Sequence, residues 1–105
     1  MEKRRSPRFK TRFDSLISAT SEEGAGVLAE ISYAGARLEQ TTMRPPHGSK
    51  VKLYVFVQPV APFELEGVVV RHTESGFALS YELVDPELRR LVDDVGAVVA
   101  DPSAA

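Results

Sequence analysis

Cysteine is missing from all 105 residues, which removes disulfide frameworks, thiolate zinc sites, iron–sulfur clusters and thiol catalysis from consideration. No run approaches the ~18 apolar residues of a membrane span, and the basic start MEKRRSPRFK leads into no apolar h-region. A cytoplasmic protein without membrane insertion is the expectation. Catalytic motifs are missing too: there is no HExxH, no Gly-x-Ser-x-Gly elbow and no Walker loop. His47 stands in a proline-rich turn and His72 at the end of a strand pattern, without a carboxylate or second histidine at ligand spacing. Gly24-Ala25-Gly26 reads as a turn that precedes a strand rather than a helix, so it lacks the dipole that phosphate loops exploit. The pairs Glu64/Glu66 and Asp93/Asp94 have no apolar surroundings to raise a pKa for acid–base work. The expectation is a protein with no catalytic residue, no metal and no cofactor.

What is present is an ordinary globular composition, 43% hydrophobic and 27% charged with seven Gly and seven Pro, enough for one domain with a core of its own. The net charge of −2 conceals an asymmetry. Residues 1–12 carry six bases against Glu2 alone, a net of +5, whereas residues 13–105 carry seven bases against fourteen acids, a net of −7. The chain is an acidic body with a basic arm over residues 1–12. An acidic body argues against wrapping a nucleic acid polymer, whose many phosphates require a wide basic surface. The arm reads either as a solvated tail or as a grip for a small anionic ligand.

Alternation predicts strands along most of the chain. In Lys50 to Gln58, Val51, Leu53, Val55 and Val57 share one face; Phe63, Leu65, Gly67 and Val69 follow, then Phe77, Leu79, Tyr81 and Leu83. Upstream, Phe9 to Ala19 is extended, Ser21 to Gly26 is a polar turn, and Val27–Ser32 and Ala36–Gln40 flank the Tyr33-Ala34-Gly35 turn. One helix is predicted over about 86–96, with Asp85 as N-cap, Pro86 first, and Leu88, Leu91, Val92 and Val95 in one stripe, ending at Gly96 before a flexible tail over 97–105. Six strands and one terminal helix predict an all-β fold, a six-stranded antiparallel β-barrel with one C-terminal α-helix, over residues 9–96.

Two short segments carry chemistry. In Arg4-Arg5-Ser6-Pro7-Arg8, Arg4 and Arg8 are spaced Arg-x-x-x-Arg, and guanidinium groups fork onto the O6 and N7 of guanine, stack on its face or grip phosphate oxygens. In Glu30-Ile31-Ser32-Tyr33-Ala34-Gly35, a carboxylate can accept the N1 and N2 protons of guanine, a hydroxyl serves phosphate or base, and Gly35 permits close backbone approach. Together, about two dozen residues apart on an all-β pattern, they resemble the PilZ family of bacterial cyclic di-GMP receptors, marked by Arg-x-x-x-Arg before the barrel and Asp/Asn-x-Ser-x-x-Gly on an early strand. Arg4, Arg8, Ser32 and Gly35 match, and Glu30 stands where the family has Asp or Asn.

The resemblance implies a PilZ-type split barrel and a non-catalytic adaptor in bacterial second-messenger signalling. Its arm clamps cyclic di-GMP and so changes what is shown to an unidentified effector protein in motility, biofilm or related pathways. Arg4, Arg5, Arg8, Glu30, Ser32 and Gly35 are the implied ligand-binding residues, and the state expected is a monomer or weak homodimer. The alternative is a degenerate PilZ interaction module that does not bind cyclic di-GMP, marked by Glu30 and docking through Tyr54 and Phe56, unless those two aromatics cover core.

Overall fold

The computed structural model describes residues 8–57 and 62–100. Six strands close into one antiparallel barrel: β1 (Arg8–Ala19), β2 (Glu23–Ser32), β3 (Gly35–Glu39), β4 (Lys50–Val55), β5 (Phe63–His72) and β6 (Phe77–Ser80), in the spatial order β1-β2-β3-β6-β5-β4. A single helix, α1 (Pro86–Ala100), follows. The predicted architecture is the observed one.

Closure follows from the period-two pattern, because each strand turns one apolar row inward and ring formation leaves no edge to pair elsewhere. Val51, Leu53 and Val55 of β4 are buried while Lys50 and Tyr54 face outward, and Leu65, Gly67 and Val69 do the same on β5. Phe77, Ile17, Leu28, Ile31, Leu38 and Leu53 fill the interior, and Val92 and Val95 of α1 join the same core.

Several boundaries differ from the sequence reading, and at the glycines the reason is packing. Gly24 and Gly26 are not a turn but lie inside β2. A β-carbon at Gly24 would stand 2.6 Å from Thr42 Oγ1, and one at Gly26 would stand 2.8 Å from Thr41 Cγ2, so these glycines admit the segment after β3. β1 starts at Arg8, which places residues 8–12 of the basic arm within the barrel. β4 stops at Val55 rather than Gln58, which lies outside the described residues. β6 stops at Ser80, and Leu83 is 72% exposed rather than inward-facing. α1 runs through Gly96 to Ala100 instead of ending at Gly96. Gly96 is where the helix meets the barrel: an added β-carbon would lie 2.5 Å from Phe9 Cζ, so the missing side chain makes room for that ring. The start of α1 is as expected, with Asp85 Oδ1 accepting from the Leu88 amide at 2.9 Å.

Tyr81 is buried with its hydroxyl unpartnered among the described residues, and burial pushes its phenol well above the ordinary range. An orphaned hydroxyl forfeits its hydration, so Tyr81→Phe is expected to leave the protein as stable or more stable by about 1 kcal/mol. With the folded pKa raised, the unfolded chain loses its Tyr81 proton first, and stability falls as pH rises above about 10. Chemical denaturation at pH 8 and pH 10.5 checks both points: Tyr81→Phe shows a smaller alkaline loss than the parent.

Candidate functional site

Of the six residues singled out from sequence, the four that are described converge because of strand register. Arg8, the first residue of β1, lies directly opposite Ser32, the last of β2, and Lys10 lies opposite Glu30. Antiparallel pairing thus sets the end of the basic arm on the second motif. Arg8, Glu30, Ser32 and Gly35 all border one open groove of about 270 Å³ on the barrel's surface. Arg4 and Arg5 lie outside the described residues.

Ser32, Gly35 and Glu30 already have local tasks. The Ser32 hydroxyl accepts from the amides of Ala34 at 3.1 Å and Gly35 at 3.3 Å and donates to the Gly35 carbonyl at 3.3 Å, which folds the β2–β3 turn around itself. Gly35 is pressed against β6: an added β-carbon would come 2.0 Å from the Leu79 carbonyl oxygen. The close approach that this glycine permits is therefore by a neighbouring strand. Tyr33, between them, donates its hydroxyl to Asp93 of α1 and stacks under Arg89, whose guanidinium carbon is 4.6 Å from the ring centroid. That hydrogen bond raises the Tyr33 phenol above its ordinary range. The turn carrying the motif is thereby fastened to the helix.

Glu30 is engaged as well. Arg37 Nε donates to Glu30 Oε1 at 3.4 Å, and Arg37 Nη1 also bonds Glu39. Partial burial works against the Arg37 cation, but the hydrogen bonds to Glu39 and Glu30 outweigh it and raise its pKa. Arg37 and Arg71 both border the groove and were missed from sequence. The signal for Arg37 is the pairing of Glu30 with Arg37 across the β2–β3 hairpin, since opposite charges directly opposite each other on adjacent strands attract. Arg71 follows a register shift between Val69 and Arg71: Val69 is inward and Val70 outward as alternation requires, but Arg71 is outward too, and nothing in the alternation announces that.

Three guanidinium groups and one partly neutralised carboxylate make a cationic groove with an acceptor at one side. Such a groove suits a ligand that is anionic overall yet presents N–H donors. Elsewhere, His47 and His72 meet edge to face at 4.8 Å, with His72 Nε2 2.7 Å from the Pro45 carbonyl oxygen. Among the described residues no group of three metal-ligating side chains forms, and no helix is long and apolar enough to cross a membrane. Tyr54 and Phe56 are 37% and 41% exposed, with Leu16 opposite Tyr54 on β1.

The family described as PilZ domain matches residues 2–95. Among solved structures, that of the Bacillus subtilis inhibitor of motility (MotI/DgrA) superposes with a TM-score of 0.72 at 17% identity, over 92% of this chain. The chain matches 51% of that protein's length, so the likeness extends to about half of it. Among curated proteins no sequence matches this chain.

Proposed function

Because the chain belongs to the PilZ domain family, we propose that it is a non-catalytic, cytoplasmic adaptor that binds cyclic di-GMP in the groove beside Arg8 and passes the signal to a partner protein. The observation that carries this reading is the register pairing of Arg8 with Ser32, which sets an arginine, a carboxylate and the motif turn around a single cavity. Arg8, with Arg4 and Arg5 from the arm, would grip guanine edges and phosphates; Arg37 and Arg71 add charge of the right sign. Glu30 would accept the guanine N1 and N2 protons. Its extra methylene, relative to Asp, lets it lie against Arg37, and that contact must be shared or exchanged when the base arrives. The Ser32 hydroxyl would exchange a turn hydrogen bond for one to the ligand. The Bacillus subtilis neighbour is named an inhibitor of motility, which supports motility as the process to test first.

Isothermal titration calorimetry of cyclic di-GMP into the full chain tests the reading, with GMP as the control. Saturable heat with cyclic di-GMP and none with GMP is expected. Glu30→Gln is expected to weaken binding about tenfold, since a carboxamide offers one acceptor oxygen where two N–H groups need two. A module without a ligand is the second reading, favoured by the hold of Arg37 on Glu30; absence of heat with the parent chain would select it.

A further inference from the structure

Among the described residues there is a cavity larger than the groove beside Arg8. It lies on another flank, between β5, the connection after β6 and α1, with a volume of about 680 Å³. Its floor is apolar, formed by the buried Leu65 and the half-buried Leu88 and Leu91, and Leu83 stands at its rim with 72% of its surface exposed. Around that floor stand six carboxylates and one guanidinium, that of Arg90. Lys52 Nζ partly offsets two of the acids, at 3.5 Å from Glu66 and 4.0 Å from Glu64, and Lys50 Nζ lies 3.8 Å from Glu82. Asp85 is occupied as the helix cap. Glu87 and Asp94, seven residues apart and hence on one side of α1, are exposed and have no ion-pair partner among the described residues.

We propose that this groove docks a basic amphipathic segment of a partner protein, its leucine-class side chains on Leu65, Leu83, Leu88 and Leu91 and its Lys or Arg side chains on Glu87 and Asp94. Charge complementarity decides the occupant. A nucleic acid or an anionic membrane surface would be repelled by the acidic rim, and a neutral apolar ligand would leave the rim carboxylates without partners. A cationic segment matches the rim and covers a leucine that is costly to leave in water. The cavity is of the size that specific sites have, roughly 300–1,000 Å³. The proposal is independent of the nucleotide reading, because no residue is shared between the two grooves.

The test uses the full chain and a labelled 14-residue peptide of Lys and Leu at helical spacing, followed by fluorescence anisotropy, with a Glu/Leu peptide of the same spacing as control. The Lys/Leu peptide is expected to bind saturably and the Glu/Leu peptide not at all. Glu87→Lys/Asp94→Lys is expected to weaken binding at least tenfold and Leu83→Ser about fivefold, while Glu22→Lys/Glu74→Lys, the same change of net charge at sites outside the groove, changes it less than twofold. Thermal melts of each variant establish that the fold is retained. Equal losses in the two double variants would reduce the effect to overall charge and overturn the proposal. Tighter binding by a peptide of residues 1–12 would assign the groove to this chain's own arm, and a dimer abolished by Glu87→Lys/Asp94→Lys would assign it to a second copy; either overturns it.

Discussion

Gly35→Ala is expected to destabilise the barrel by about 3 kcal/mol or more, lowering the melting temperature by roughly 12–20 °C. The new methyl would stand 2.0 Å from the Leu79 carbonyl oxygen, and real β-carbons essentially never come within 3.0 Å of such an atom. The obstacle is backbone, so no rotamer relieves it. β3 and β6 meet over four residue pairs, Gly35 with Ser80 through Leu38 with Phe77, and separating them opens the ring. Gly48→Ala supplies the contrast. Gly48 has a left-handed φ of 86° but open space around its α-carbon, so its substitution costs only the backbone term of about 1 kcal/mol. Circular dichroism melts of both variants measure the difference. An unchanged melting temperature for Gly35→Ala would mean that β6 can yield and that the space at Gly35 serves something other than strand packing.

Arg8→Ala is expected to weaken cyclic di-GMP binding by about 2–3 kcal/mol, roughly 30- to 150-fold, while leaving the melt unchanged. Arg8 is exposed and enters none of the ion pairs of the described residues, so its removal takes nothing from the folded state. Its position opposite Ser32 sets its guanidinium at the mouth of the groove, where a phosphate or a guanine edge would take a charge-assisted fork. Arg12→Ala, on the same strand but away from the groove, is the control and should change affinity less than twofold. Titration calorimetry at two salt concentrations reads both; equal losses for Arg8 and Arg12 would indicate a diffuse electrostatic attraction.

Much of the barrel could be read from the chain because a wall with one wet face imposes alternation. Val51, Leu53 and Val55 are the clear case, each inward, with polar or aromatic neighbours outward. Alternation fails where a strand is covered on both sides: Phe77, Ala78 and Leu79 are all buried in β6. It fails again for glycines, which look like punctuation in sequence. Gly24, Gly26 and Gly96 are instead places where another segment comes close, and that depends on a neighbour far along the chain. The site divides in the same way. Arg8, Ser32 and Gly35 belong to short motifs whose spacing is visible before folding. Arg37 and Arg71 are single arginines on strands, and only the hairpin register of one and the shifted register beside the other bring them to the groove.

The fastening of Tyr33 to Asp93 and Arg89 has a thermodynamic corollary. The β2–β3 turn borders the groove beside Arg8, and the helix it grips forms one wall of the acidic groove. If a nucleotide at the turn shifts α1 and so multiplies the affinity for a docked segment by some factor, the docked segment multiplies the affinity for the nucleotide by that same factor. The partner then ceases to be a passive reader: its abundance sets the messenger concentration at which this chain responds, and cells holding different amounts of partner would have different thresholds from one unchanged sequence.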